Sequence, residues 1–211
     1  MPKTRVLLAE DHTVVAEGLQ ALLEEDFELA GTAHDGRELL AAAERLRPDV
    51  IVTDLSMPGL NGLDAIRQIK SRQPEAKIVV LTMHRDTQLA AEAMRAGALG
   101  YMLKVSPSEE LITAIREAAR GRMYVTTLLS KDLLTLLLDS ASKPQGRPLT
   151  SRQREVLQLV AEGRTMKEVA AELQISPRTA ESHKYDIMQA LGVQTTAELI
   201  QYAVRNKLIG E

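Results

Sequence analysis

The 211-residue chain contains no cysteine, which excludes disulfides and thiolate-ligated metal centres. Histidine is scarce as well. The four histidines are scattered, so a zinc site is not expected, and any metal should be a hard cation held by oxygen. No apolar run approaches the roughly 18 residues of a membrane span. The opening MPKTRVLLAED lacks the long apolar core and small-residue cleavage site of a secretory signal. The expected setting is cytoplasmic, with no membrane partner. A basic half is missing too: from Leu149 onward eight Lys/Arg stand against eight Asp/Glu, and before it 18 stand against 21, for a net charge of −3. Charge alone therefore does not announce a nucleic-acid binder.

What is present is an alternation. Short apolar runs at 5–9 (RVLLA), 28–33 (ELAGTA), 49–54 (DVIVTD), 77–82 (KIVVLT) and 100–104 (GYMLK) are separated by amphipathic stretches at 14–25, 37–46, 62–72, 87–96 and 107–120. Five βα units in a row predict an α/β fold, a doubly wound five-stranded parallel sheet with helices on both faces and ligands at the carboxyl ends of its strands. Ser106-Pro107-Ser108-Glu109 reads as an N-cap, a proline at the first helical position and a capping-box acid. The segment 128–140 suggests one more helix, and 140–148 (SASKPQGRP) reads as a linker. Beyond it only helical signals remain, at 151–162, 166–173, 177–191 and 196–206. Three open with capping boxes (Thr150 with Gln153, Thr165 with Glu168, Thr195 with Glu198), and the remaining one has Ser176 as cap before Pro177. The expected organisation is an α/β domain over 1–124, a linker helix and linker over 125–148, and a small all-α four-helix domain over 149–211.

The run VIVTDLSMPG (50–59) carries a buried-looking strand straight into a carboxylate. An unpaired buried charge is costly, so Asp54 belongs where the strand ends and a partner is within reach. The same rim would gather Glu10-Asp11, Thr82 and Lys104 from the ends of the first, fourth and fifth strands. Clustered carboxylates favour a divalent cation such as Mg²⁺. With Lys104 to neutralise charge and Thr82 to donate a hydrogen bond, the rim suits a phosphoryl group, and Asp54 would be the nucleophile that forms an acyl phosphate. Taken singly the residues read blandly: Thr82 as strand-end packing, Tyr101 as a half-buried strand aromatic, His84 as a loop residue and His12 as the start of a helix. The constellation favours chemistry. A metal-dependent phosphatase would place a second acid two residues after the aspartate, where Ser56 stands, and LLAEDHTVV has no glycine for a dinucleotide loop.

Residues 4–120 resemble the receiver domain of two-component response regulators, through AEDH, TDLSMPGLNG, LTMH and GYMLK in the family's order. Residues 149–211 resemble the LuxR-type helix-turn-helix domain, through LTSRQREVLQLVAEG, KEVAAEL, ISPRTAESH and LGVQTTAEL. The resemblance implies a flavodoxin-like receiver that takes a phosphoryl group on Asp54 from a sensor histidine kinase. It implies Mg²⁺ held by Glu10, Asp11, Asp54 and the main-chain carbonyl of Ser56, and a switch in which Thr82 moves toward the phosphoryl oxygens while Tyr101 turns inward. It further implies homodimerisation on activation, an operator of two half-sites, contact with RNA polymerase, and no enzymatic activity beyond Mg²⁺-dependent self-phosphorylation from a phosphodonor. Unphosphorylated, the receiver is expected to mask the DNA-binding or dimer helix. The alternative is a constitutive DNA-binding protein whose receiver serves only for protein interaction; five intact site residues weigh against it.

On the DNA side, Ser176 to Tyr185 open a helix with a polar face after a short turn, as a recognition helix does. Glu181, Ser182 and Tyr185 occupy the family's groove-facing positions and are expected to contact bases, Glu181 by accepting from a cytosine amino group. Lys167, Arg178, Thr179, His183 and Lys184 are expected to hold phosphates. The chain departs from the family at three places: Val105 where proline commonly follows the lysine, Met166 where asparagine is usual, and Ala190 where lysine is usual. The last two imply fewer phosphate contacts and a flatter salt dependence of DNA binding.

Overall fold

The computed structural model describes residues 3–130, 133 and 149–205, which form two compact units, one built on a sheet and one on the C-terminal helices. The first unit runs β1 (Arg5–Ala9), α1 (Thr13–Asp26), β2 (Glu28–Ala33), α2 (Gly36–Leu46), β3 (Val50–Thr53), α3 (Gly62–Arg72), β4 (Ile78–Thr82), α4 (Thr87–Arg95), β5 (Gly100–Leu103), α5 (Ser108–Ala119) and β6 (Tyr124–Val125). All strand pairs are parallel, in the order β2-β1-β3-β4-β5-β6. Strands buried on both faces need continuous apolar runs, and VIVT of β3 and IVVLT of β4 are buried at every position. Strand alternation divides their side chains between two layers. Val6, Leu8, Val50, Val52, Val79 and Leu81 form one core with Leu23 and Phe27 at α1 and Leu111, Ala114 and Ile115 of α5. Leu39 and Ala43 of α2, Ile66 and Ile69 of α3 and Ala90 of α4 are buried in the other helical layer.

Two expectations are corrected. The sheet has six strands rather than five among the described residues: Tyr124 and Val125 pair with Gly100 and Tyr101, through bonds from the Tyr124 amide to the Leu99 carbonyl (2.9 Å) and from the Thr126 amide to the Tyr101 carbonyl (3.0 Å). Two residues are too few to show a period of two. Nor does Ser106 cap α5. The residue before the helix is Pro107, with no side-chain cap, and the Ser106 hydroxyl lies 3.2 Å from that of Thr126.

The second unit comprises α6 (Ser151–Ala161), α7 (Met166–Glu172), α8 (Pro177–Leu191) and α9 (Thr196–Arg205). Reciprocal capping boxes are formed at Thr150/Gln153 and Thr165/Glu168, and Thr195 and Glu198 exchange amide bonds in the same manner. Ser176 accepts from the Thr179 amide before Pro177. Val156, Leu157, Leu159, Val169, Leu173, Ala180, Ile187, Leu199 and Ala203 close a single core. At the end of the first unit, Leu128 and Leu129 lie in a turn, Ser130 and Leu133 are helical and Leu133 is buried; the other residues of the expected 128–140 helix, and the linker at 140–148, lie outside the described residues. Among the described residues, no helix is long and apolar enough to cross a membrane.

The strand order reverses between β1 and β3, the switch point at which open α/β sheets bind ligands outside their strand carboxyl ends. Glu10 follows one of these strands and Asp54 the other. The chain after Asp54 is held against the start of α3 by the Gly62 amide, which donates to the Leu55 carbonyl at 2.9 Å. A Cβ on Gly62 would fall 1.9 Å from the Asp54 carbonyl oxygen, whereas one on Gly18 of α1 meets nothing within 4 Å. Gly62→Ala is therefore expected to force the Asp54 segment to shift and to cost about 1–3 kcal/mol. Gly18→Ala should stabilise by about 0.5–1 kcal/mol through helix propensity. Thermal unfolding of the two variants checks the pair: equal melting temperatures would contradict it.

Candidate phosphoacceptor site and DNA interface

Lys104 leaves the end of β5 and places its ammonium between two carboxylates, 2.7 Å from Asp54 Oδ2 and 2.6 Å from Glu10 Oε2. Both acids are almost fully buried, at 4 % and 1 % exposure. Burial alone would push the Lys104 pKa down, but the charge and hydrogen bond of Asp54, joined by Glu10, outweigh it and hold the ammonium above the ordinary lysine range. It stays charged throughout the neutral range.

The remaining oxygens are mostly spoken for. Asp54 Oδ1 accepts from the amides of Leu55 (2.6 Å) and Ser56 (3.3 Å). Glu10 Oε1 accepts from the His12 amide at 3.3 Å and lies 3.1 Å from its Nδ1. Asp11 differs: its Oδ1 is buried and accepts no hydrogen bond, although His12 Nδ1 stands 3.0 Å away. The close group that could hold a metal ion comprises Glu10, Asp11 and His12, with ligand atoms within 4.8 Å of one another. Asp54 is not in that group; it meets Glu10 through Lys104. A buried carboxylate oxygen lacking a donor, beside a second carboxylate, fits a hard divalent cation.

Thr82, fully buried at the end of β4, accepts from the His84 amide at 3.4 Å, which leaves its own O–H to donate. Tyr101 is already inward and fully buried, with its hydroxyl donating to the His84 carbonyl at 3.0 Å. Burial, then the charges of Asp86 and Asp54, raise its pKa far above the usual phenol range, so it remains a donor. Two participants have no site role in the sequence reading, which takes His12 as the start of a helix and His84 as a loop residue. His12 caps α1 and turns its ring to Glu10 and Asp11, and His84 Nε2 lies 2.7 Å from the Ser56 hydroxyl. Adjacency to the acidic pair was the signal for His12; the His84 contact joins two loops, which spacing does not reveal. Val105, where the resemblance led to an expectation of proline, is half exposed, and there is no cis peptide bond among the described residues.

In the second unit, Gln174 takes a left-handed conformation with φ of 53° and turns the chain from α7 into α8. Arg178, Thr179, Glu181, Ser182 and Tyr185 are exposed on the first turns of α8, His183 and Lys184 are half-buried, and Lys167 is exposed on α7. Tyr185 is 61 % exposed and accepts from Gln189 Nε2 at 3.0 Å. Lys184 does not extend freely: its ammonium lies 2.8 Å from Glu181 Oε2. Met166 packs against the helical core, which explains how an apolar residue is accommodated there.

Residues 6–116 match the model of the response regulator receiver domain, and residues 147–203 match that of the bacterial regulatory proteins of the LuxR family. The transcriptional regulatory protein MctR of Rhizobium johnstonii is 36 % identical over 212 residues, covering 100 % of this chain and 97 % of MctR. The oxygen regulatory protein NreC of Staphylococcus epidermidis is 38 % identical over 215 residues, covering 97 % and 99 %. Among solved structures, RcsB of Salmonella enterica serovar Typhimurium, bound to a promoter in the presence of the phosphomimetic BeF3⁻, aligns with a TM-score of 0.62 at 29 % identity, over 95 % of this chain and 98 % of RcsB. The matches of both domains and the relatives aligned over nearly their whole length place the chain in a family: it belongs to the two-component response regulators, with an N-terminal receiver domain and a C-terminal LuxR-type DNA-binding domain.

Proposed function

We propose that Asp54 accepts a phosphoryl group from a sensor histidine kinase and that the resulting acyl phosphate controls operator binding by the C-terminal helices. An Asp54 carboxylate oxygen attacks phosphorus while the bond from phosphorus to the donor's imidazole nitrogen breaks, and the electron pair leaves on that nitrogen. The observation that carries this reading is the shared ammonium: Lys104 bridges Asp54 and Glu10 at 2.7 and 2.6 Å. This sets a cation beside the nucleophile, in place for the phosphoryl oxygens. Thr82 offers a hydroxyl to the same oxygens. Mg²⁺, when bound, supplies further positive charge; Glu10, Asp11, Asp54 and the Ser56 carbonyl are the residues that would hold it, the unpartnered Asp11 oxygen among them.

The chain is then a switch rather than an enzyme, acting in the cytoplasm. Its partners are a histidine kinase, operator DNA with two half-sites, a second copy of itself on activation, and RNA polymerase. The RcsB structure with promoter DNA and BeF3⁻ supports the pairing of phosphorylation with DNA binding. Phosphorylation shifts a population, so the two states need differ by only a few kcal/mol.

Intact mass after incubation with Mg²⁺ and a small phosphodonor should show one phosphoryl adduct on the native chain and none on Asp54→Asn. An unmodified native chain with its fold intact would favour a constitutive DNA-binder. Mg²⁺ at ten times its dissociation constant should stabilise the native receiver by about 1.4 kcal/mol, raising the melting temperature by a few degrees, and Asp11→Asn should lose most of that rise; an unchanged rise would remove Asp11 from the ligand set. Finally, residues 149–211 alone are expected to bind operator more tightly than the unphosphorylated full chain. Equal affinity would show that the receiver does not mask DNA binding.

A further inference from the structure

Glu181 poses an electrostatic problem. It projects from the first turns of α8, more than half exposed, on the helix that the proposed function sends into the major groove. A lone carboxylate there would be drawn through the field of the phosphates and stripped of water, with like-charge repulsion on the way in. Lys184 answers it. One turn along, its ammonium lies 2.8 Å from Glu181 Oε2, and its side chain is only 21 % exposed, so its stem lies along the helix instead of reaching out to a flanking strand. In water such an i,i+3 pair contributes little. In a groove that excludes water its attraction grows, and the pair enters as one neutral unit.

The geometry assigns Lys184 a different place from the phosphate contact expected for it. We propose that Lys184 and Glu181 act as one base-reading unit for a C·G pair, with Lys184 as the positioning residue and guanine donor. This rests on α8 being the recognition helix. The ammonium engages Oε2, leaving Oε1 free to accept from the cytosine N4 amino group. The ammonium's other hydrogens are available to the guanine O6 and N7 acceptors on the same base-pair edge. An acceptor and a donor held side by side thus match a donor and acceptors presented side by side.

The test uses the full chain, treated with Mg²⁺ and a small phosphodonor, and a pool of duplexes with randomised half-sites, followed by affinities measured over a series of salt concentrations. Glu181→Gln and Lys184→Met should each relax the same C·G position by roughly ten-fold or more. The double variant should lose little beyond either single one, and Lys184→Arg should retain the C·G preference. The salt slope of Lys184→Met should stay near that of the native chain. A uniform loss across all sequences, with the slope lowered by about one phosphate, would overturn the proposal and return Lys184 to the backbone. So would relaxation of two different base pairs by the two single variants. Tyr185→Ala separates the underlying reading: if it leaves sequence preference untouched, α8 is not the recognition helix, and both readings fall together.

Discussion

One buried ammonium shared by two carboxylates organises the receiver. Lys104 ends β5, Glu10 ends β1 and Asp54 ends β3, so the three chains that meet at its Nζ come from different strands of the sheet. Two carboxylates so nearly buried need a countercharge, and Lys104 is the cation that both of them contact. The parallel sheet with its reversal between β1 and β3 is what brings these ends to one edge. The arrangement also sets a limit on the chemistry. A phosphoryl group joined to Asp54 Oδ2 would take over the bond that Lys104 now makes to that oxygen.

How much of this was legible depends on how local the cause was. β1, β3 and β4 were readable because burial on both faces demands runs of Val, Ile and Leu. The four helices of the second unit were readable because caps are written within four residues: Thr150 with Gln153 and Thr165 with Glu168 are chemical signatures that require no tertiary context. β6 was not readable. Its two residues are strand only because β5 presents free backbone groups beside them. The same omission misled the reading of Ser106, whose hydroxyl goes to Thr126, the residue just after β6, instead of capping α5. A single tertiary pairing accounts for both errors.

The site divides along the same line. Glu10, Asp11, Asp54, Thr82 and Lys104 could be grouped in advance because the fold class places strand ends together. The roles of His12 and His84 could not, because loop paths decide which ring meets which oxygen. The histidine at 84 shows this most clearly. Its amide reaches Thr82, its carbonyl takes the Tyr101 hydroxyl and its ring reaches Ser56, so one loop residue connects the loops after β3 and β4 to the aromatic ring beneath them. A shift of Thr82 toward a phosphoryl group would therefore be transmitted to Tyr101 through the backbone of His84.

The charge balance of the DNA-binding unit bears on how the proposed control by phosphorylation would act. With as many acids as bases from Leu149 onward, the unit cannot rely on a broad positive field, which is the term that gives most DNA-binding proteins their non-specific affinity. Met166, folded into the core, adds no polar contact. Under the function proposed above, affinity would then come from a few aligned contacts on α8 and from presenting two copies to two half-sites, where the second engagement would be effectively intramolecular. Each of those terms depends on assembly far more than a diffuse electrostatic attraction would. On that reading, a modest change in the population of assembled chains would be passed on to operator occupancy with little background binding to dilute it.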